Sequence, residues 1–202
     1  MRVPQYYELF TLPLPFILWY FAFNGTVLDF WTRISIAALT LFLVSVPKYA
    51  RMKIRPSISG LAVGFSSAIL LYIFFWSGFQ VAKRVPGFLE QTSWVYGLRG
   101  QTPLPTISLL LLFPIGPVEE LYWRGLVQGY LNGVLSPLKA LALTSVLYSS
   151  IHLSTLNPSL MLVALIGGLV WGAIFNRFRN LFPVLVSHVL WDELIFVFFV
   201  IT

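Results

Sequence analysis

Residues 58–80 read ISGLAVGFSSAILLYIFFWSGFQ, an apolar run without a single Asp, Glu, Lys or Arg. A helix needs about 20 apolar residues to cross the hydrocarbon core of a bilayer, so this run predicts a membrane-spanning helix. The whole chain shares its character, since 58% of the 202 residues are hydrophobic and only 10% are charged. A soluble domain carries about 25% charged residues. We therefore expect an all-α, polytopic membrane bundle.

Further apolar runs lie on both sides of this segment and together predict about seven transmembrane helices. In chain order the predicted segments are 9–28, 34–47, 58–80, 105–131, 138–153, 158–176 and 181–201. The longest polar stretch, 81–104, mixes charged and aromatic residues and is expected to lie on the membrane surface as an amphipathic piece. The chain shows no internal repeat, which argues against a transporter because many transporters are built from repeats.

The basic residues stand in short loops between the apolar runs, which is where they set membrane topology. With residues 48–55 on the cytoplasmic side, Lys139 and residues 177–179 come to the same side. The amino terminus is then inside and the carboxyl terminus outside. The net charge of +6 is thus explained without a nucleic-acid partner. Residues 1–5 lack the basic start of a signal peptide, so the first run is expected to be retained.

The segment 105–131 contains a cluster of helix-breaking residues, Pro114, Gly116 and Pro117. Proline inside a helix removes a backbone donor and clashes with the preceding turn, so the cluster predicts a break or kink. A new helix is expected to start near Pro117, since proline suits a first helical turn. Within a bilayer such a break is tolerated only where it is buried or faces a wet cavity.

Ionisable side chains are concentrated in three of the predicted segments, 105–131, 138–153 and 181–201. Of the seven acidic residues four lie in predicted spans, and so do both histidines: Glu119, Glu120, Asp192, Glu193, His152 and His188. Such residues are costly in a membrane and by default indicate function. At about 1.5 Å per residue, Glu119, His152, His188 and Asp192 come to comparable depths near the middle of a core about 30 Å thick. One shared site is therefore permitted.

Helical spacing assigns these residues to faces. Glu120 and Arg124 are four apart and can pair, which also fits a purely structural clamp between helices. Glu119 is turned by about 100° from Glu120 and can point into a cavity, where a carboxylate can serve as a general base. His188 and Asp192 are also four apart, so the carboxylate can orient the imidazole.

Several kinds of peptidase are excluded or disfavoured by the residues present. The chain has no cysteine, which removes a thiol nucleophile and thiolate metal ligands. The His-Glu-x-x-His pattern of zinc proteases is absent. An aspartyl dyad needs two buried aspartates, and Asp29 lies at the end of a predicted span.

A serine enzyme stays conceivable through Ser149, Ser150 or Ser187. None of the three lies in a glycine-flanked turn that would expose its hydroxyl. The chemistry that fits best is a water nucleophile activated by Glu119 together with His152.

Three spaced motifs resemble those of one known family, the CPBP (Abi) family of glutamate-type intramembrane endopeptidases. They are Glu119-Glu120-x-x-x-Arg124, Tyr148-x-x-x-His152 and His188-x-x-x-Asp192. The family includes the type II CAAX prenyl endopeptidases and bacterial relatives in bacteriocin processing, self-immunity and C-terminal sorting. The resemblance implies one integral-membrane domain, 1–202, with N-terminal helices and an amphipathic loop in 1–104 and a catalytic core in 105–202.

The resemblance also implies a role for each matching position. Glu119 would be the general base, His152 would hold and polarise the water, and His188 with residue 192 would support the oxyanion. Glu120 and Arg124 would be accessory.

Two positions depart from the family pattern. Tyr148 stands where a Phe is common, and the exchange is expected to be harmless. Asp192 stands where prenyl endopeptidases carry Asn, and an ionised Asp cannot donate to an oxyanion. Asp192 could instead hold His188 as the donor.

Three readings follow. The first is a peptidase without a cofactor. Its substrate would be a peptide or protein, and membrane-anchored and lipidated substrates are among the candidates. The second uses a divalent metal such as zinc, held by Glu119, His152, His188 and Asp192, since His and carboxylates suit such an ion. The third is a non-proteolytic membrane scaffold or immunity protein. In each case the protein is a multi-pass membrane protein, in the cell membrane if the source is prokaryotic.

Overall fold

The computed structural model of the protein describes residues 6–201, without the side chains of residues 49–51. The expectation for residues 1–5 therefore lies outside the described residues, and so does part of the basic loop. Within the described range the chain is helical and contains no strand, which confirms the all-α bundle. The α-helices are α1 (Tyr7–Thr11), α2 (Pro13–Asn24), α3 (Phe30–Ser45), α4 (Ile58–Ala82), α5 (Phe88–Gly97), α6 (Leu104–Leu110), α7 (Gly116–Glu120), α8 (Gly129–Val134), α9 (Pro137–Ser150), α10 (Pro158–Phe178) and α11 (Phe182–Glu193).

Shorter helical pieces join or extend these helices. The 3₁₀ turns are Val46–Arg51, Leu98–Gln101 and Leu153–Thr155, and the π-helical turns are Leu111–Ile115, Leu121–Gln128 and Leu194–Phe198. The π turns link α6, α7 and α8 into one long helical run. Stretches of this kind often occur at functional sites.

Four helical runs among the described residues are long and apolar enough to cross a membrane, which supports a multi-pass protein. They are Phe30–Lys48, Ile58–Ala82, Leu104–Val134 and Pro158–Phe178. The predicted count of seven spans is not confirmed, because α2, α9 and α11 contain 12, 14 and 12 residues. These helices are shorter than the roughly 20 residues that a straight crossing needs. Within the stretch 81–104, residues Phe88–Gly97 form helix α5 and residues Leu98–Gln101 form a 3₁₀ turn; its place on the membrane surface stays a prediction.

Small residues allow the helices around the site to approach closely. α4 packs along α11, α10 packs along α9, and α2 packs along α3. A Cβ placed on Gly64 of α4 would lie 2.6 Å from the Cβ of Val186 on α11. A Cβ on Gly168 of α10 would lie 3.2 Å from Cα of Ser145 on α9. These glycines therefore let α4 approach α11, and α10 approach α9, with no room for a larger side chain.

Candidate active site

The two motif glutamates stand directly after a break in the long helical run. Phe113 has extended backbone angles, φ −158° and ψ 119°, and α7 begins at Gly116 with Pro117 in its first turn. The predicted break and the predicted new helix are thus confirmed. A Cβ on Gly116 would lie 3.0 Å from Val189 and 3.5 Å from Oδ2 of Asp192. The glycine therefore lets the start of α7 touch the polar face of α11.

Glu120 sits between an arginine and a histidine. Its Oε1 accepts a hydrogen bond of 2.9 Å from Nη1 of Arg124 and lies 2.6 Å from Nδ1 of His188. Glu120 and Arg124 have no solvent exposure. Because Oε1 of Glu120 already accepts from Arg124, Nδ1 of His188 is the donor in the second contact. The ring atom that His188 leaves for other partners is Nε2.

Asp192 lies beside the other ring nitrogen of His188, and its predicted role stays a prediction. Nε2 of His188 and Oδ2 of Asp192 are 3.6 Å apart, which is an ion-pair distance and longer than a hydrogen bond. The carboxylate that orients the imidazole is Glu120, which lies on a different helix. The predicted Glu120–Arg124 pair is confirmed, but it forms one part of a triad with His188 and not merely a clamp.

Trp171 of α10 supports the other side of the same imidazole. Its ring stacks on His188 with centroids 3.7 Å apart and an angle of 21° between the planes. Its Nε1 donates to Oγ of Ser187, which also accepts from Ser67 on α4 at 2.9 Å. His188 is thus fixed by a carboxylate at one edge and by an indole on its face.

Glu119 points away from Glu120, as the helical period predicts. Its Oε2 accepts a hydrogen bond of 2.7 Å from the hydroxyl of Tyr148 on α9. The residue is 8% exposed. The Tyr148 position was expected to tolerate Phe or Tyr alike, and this contact shows that the hydroxyl has a specific partner.

His152 follows the end of α9 and is buried. Its ring packs edge-on against Phe23 and Tyr148, with centroid separations of 5.8 and 6.1 Å. Among the described residues, its Nδ1 has no hydrogen-bond partner. An unpaired polar atom in a buried position is costly and calls for a ligand or an ordered water.

The four predicted site residues meet at one cavity of about 210 Å³. Glu119, His152, His188 and Asp192 line it together with Tyr148 and Trp171. The remaining wall is mostly aromatic and aliphatic, including Trp19, Phe23, Phe30, Trp31, Trp191 and Phe196. Helix α5 borders the cavity through Phe88 and Tyr96. The cavity therefore combines a polar floor with apolar walls, as binding sites commonly do.

Other catalytic arrangements receive no support from the geometry. The hydroxyls of Ser149 and Ser150 donate to the backbone carbonyls of Met161 and Val146, and Ser187 bonds with Ser67 and Trp171. None of these hydroxyls is recorded in a bond to an imidazole of the described chain.

Asp29 has a structural role at the start of α3. It caps the helix by accepting from the backbone N–H of Thr32 at 3.1 Å, and it also accepts from the hydroxyl of Thr102 at 3.1 Å. Burial would raise the pKa of Asp29, but the hydrogen bonds from Thr32 and Thr102 outweigh it and lower the pKa below its ordinary value. Asp29 is thus not a partner for Asp192.

The candidate residues do not fit a metal site. Within residues 6–201 no three His, Asp or Glu side chains are grouped so that they could hold one metal ion. Nδ1 of His188 is already engaged by Glu120. That the activity does not need a metal stays a prediction.

Fold and site together define a multi-pass membrane protein with a buried carboxylate–imidazole cluster at an internal cavity. Residues 101–194 match the family model described as type II CAAX prenyl endopeptidase Rce1-like. The match covers slightly less than half of the chain and includes all three motifs, so this region resembles the CAAX protease family that the motifs indicated. No curated protein and no solved structure matches the chain. The family implies an intramembrane endopeptidase of the CAAX type.

Sequence reasoning missed three contacts of the site. These are the hydrogen bond from Tyr148 to Glu119, the bond between Glu120 and His188, and the stacking of Trp171 on His188. Each joins different helices, so helical spacing carries no signal for it. The hydrogen bond from Tyr148 to Glu119 could have been suspected, because a tyrosine one turn before a predicted active-site histidine is buried and its hydroxyl then needs a partner.

Proposed function

We propose that this protein is an intramembrane endopeptidase in which Glu119 activates the water that cleaves the peptide bond. One observation carries the proposal. Of two adjacent buried glutamates, Glu120 is occupied by Arg124 and His188, whereas Glu119 faces the cavity that His152 also lines. Glu120 is engaged by an arginine and a histidine and does not line the cavity, whereas Glu119 lines it and accepts from Tyr148 only at Oε2, so Glu119 is the base that a water in the cavity can reach.

The reaction runs in two steps. Glu119 takes a proton from the water, whose oxygen attacks the carbonyl carbon of the peptide while His152 helps to hold the water. Negative charge develops on the carbonyl oxygen, where Nε2 of His188, whose ring carries a proton on both nitrogens in this scheme, donates a hydrogen bond. The C–N bond then breaks, and Glu119 returns its proton to the leaving amine.

Asp192 has an indirect part in this scheme. It lies beside Nε2 of His188 and supports that ring as the donor, together with Glu120 at Nδ1. An ionised Asp192 has no proton to give to the oxyanion itself. Arg124 remains accessory because it acts through Glu120.

The substrate class follows from the membrane setting and the cavity walls. We propose that the enzyme processes C-terminal or leader segments of membrane-associated proteins, since the lining around the polar residues is largely aromatic and aliphatic and suits an apolar segment. A lipidated tail is one form of such a substrate.

The test compares Glu119→Gln with a matched variant, Glu193→Gln, in protein reconstituted into nanodiscs. Glu193 is also a buried glutamate, but it accepts from Ser108 and is not among the cavity-lining residues. The probes are a farnesylated peptide with a C-terminal CAAX sequence and its unprenylated twin. Substrate trapping by Glu119→Gln in native membranes, with mapping of the trapped peptide termini, extends the search beyond these probes.

We expect Glu119→Gln to reduce kcat/KM by about 100-fold or more, which is the usual contribution of a general base. Glu193→Gln should stay within about twofold of wild type, as a change outside the site does. Activity should persist in EDTA, and loss that added zinc restores would favour the metal reading. A Glu119→Gln protein that cleaves normally, or that keeps its full biological effect, would favour the scaffold or immunity reading.

A further inference from the structure

Among the described residues, the hydroxyl of Tyr148 is the one side-chain group that donates a hydrogen bond to the Glu119 carboxylate. It donates to Oε2 at 2.7 Å, and both residues are buried. No hydrogen bond to Oε1 of Glu119 is recorded among the described residues. Since the side chain lines the cavity, Oε1 is the oxygen available to a water there.

The tyrosine ring has little room to move. The guanidinium of Arg124 lies over the ring, 4.8 Å from its centroid. On α10, a Cβ at Gly168 would come within 3.3 Å of its Cδ1, which shows how closely the backbone approaches. Trp123 and Trp171 pack edge-on at 5.6 and 6.4 Å. The hydroxyl is therefore held at a fixed point beside the carboxylate.

A carboxylate without such a bond can turn about its last side-chain torsion, which has broad minima. A half turn only exchanges two equivalent oxygens, but any partial turn would move both of them out of line with the water. A hydrogen bond to one oxygen removes this freedom, and bonds to charged groups are stronger than bonds between neutral ones.

From this geometry we propose that Tyr148 is a positioning residue: its hydroxyl fixes the Glu119 carboxylate so that Oε1 acts on the hydrolytic water. The inference rests on the proposed function of Glu119. It assigns no contact between Tyr148 and the substrate, so the loss of the hydroxyl should affect turnover and not binding.

The first test is Tyr148→Phe, which keeps the ring and its packing and removes only the hydroxyl. The matched control is Tyr122→Phe. Tyr122 is also fully buried and lies in the helical run that carries Glu119, but its hydroxyl donates to the carbonyl and the hydroxyl of Thr11 at 3.0 and 3.2 Å. Both variants lose one buried tyrosine hydroxyl bond, so a general effect on folding should appear in both.

With the farnesylated probe peptide, Tyr148→Phe should lower kcat by about 10-fold to 100-fold and change KM by less than about twofold, because a transition-state contact affects kcat. Tyr122→Phe should keep kcat within about twofold. Equal losses in the two variants would overturn the inference, and so would a rise of KM at constant kcat in Tyr148→Phe.

A double-mutant cycle separates positioning from packing. If Tyr148 acts only through the Glu119 carboxylate, adding Tyr148→Phe to Glu119→Gln should leave the small residual rate unchanged. A structural role would multiply the two losses. A further 10-fold fall in the double variant would therefore contradict the inference.

Infrared spectroscopy with ¹³C-glutamate supplies a readout that needs no turnover. Tyr148→Phe should shift a glutamate carboxylate band, Tyr122→Phe should not, and the shift should vanish in the Glu119→Gln background. Failure of wild type to cleave any probe would reject the proposed function, and this band would still decide whether Tyr148 controls Glu119. An unchanged band together with an active wild type would reject the inference alone.

Discussion

Replacing Glu120 by Gln tests the triad that fixes His188. The change removes the charge whose Oε1 meets Arg124 at 2.9 Å and His188 at 2.6 Å. Arg124 has no solvent exposure, so its guanidinium would stay buried without a counter-charge. Breaking a buried ion pair in this way costs about 3–5 kcal/mol.

The structure indicates the lower end of that range. Glu120 and Arg124 are one helical turn apart, and this contact can persist in an unfolded state that keeps its helices in detergent. The contact with His188 joins residues 68 positions apart and is lost on unfolding. We therefore expect about 3 kcal/mol of destabilisation, near the value for a single buried charge left unpaired.

The assay is equilibrium unfolding in mixed micelles, followed by tryptophan fluorescence. Glu193→Gln serves as the control, with an expected change of about 1 kcal/mol for one altered hydrogen bond. The double variant Glu120→Gln/Arg124→Gln should lose less than the sum of the single changes, since it leaves no lone guanidinium. A Glu120→Gln protein as stable as the control, or strict additivity in the double variant, would refute this reasoning.

Two further predictions concern stability away from the site. Gly64→Ala should destabilise the bundle by about 1–3 kcal/mol because its Cβ would collide with Val186. The control is Gly78→Ala on the same helix, which meets nothing within 4 Å and should be neutral or slightly stabilising. The unfolding midpoints of the two variants measure the difference, and equal midpoints would contradict the prediction. Asp29→Ala should lose about 1 kcal/mol of helix capping. Because the folded-state pKa of Asp29 is lowered, its contribution to stability should be present at neutral pH and disappear as the pH falls through that pKa. The difference in stability between wild type and Asp29→Ala should therefore shrink in acid. A difference that grows in acid would contradict this prediction.

Local features of the site were predictable because they depend on neighbours in the chain. The break near Pro114 and Pro117 follows from proline geometry, and the Glu120–Arg124 pair follows from the helical period. The same period places Glu119 on a different face from Glu120. These arguments need no knowledge of the other helices.

Contacts between helices were not predictable from the same arguments. Periodicity states which face of a helix carries His188, but it does not state which carboxylate faces it across the bundle. The sequence favoured Asp192 as the neighbour in the chain, whereas the packing of α7 on α11 brings Glu120 closer. The hydrogen bond from the Tyr148 hydroxyl to Glu119 was not predictable for the same reason, since it joins α9 to α7.

The number of membrane-spanning helices was also not predictable from the sequence. Apolar length predicted seven segments, and helices occur in all seven regions. Four of the helical runs are long enough to cross by length and composition. The others are shorter: α2 ends at Asn24, α9 ends at Ser150, and α11 continues only through the π turn Leu194–Phe198. Composition alone does not reveal where these helices end.

An experimental structure of the Glu119→Gln protein with the trapped probe peptide tests the central claim most directly. We predict that the scissile carbonyl carbon lies in the cavity beside residue 119, with its oxygen within about 3–3.5 Å of Nε2 of His188, as a reactive geometry requires. A peptide bond held elsewhere in the bundle, or a residue 119 side chain that faces lipid, would contradict the account.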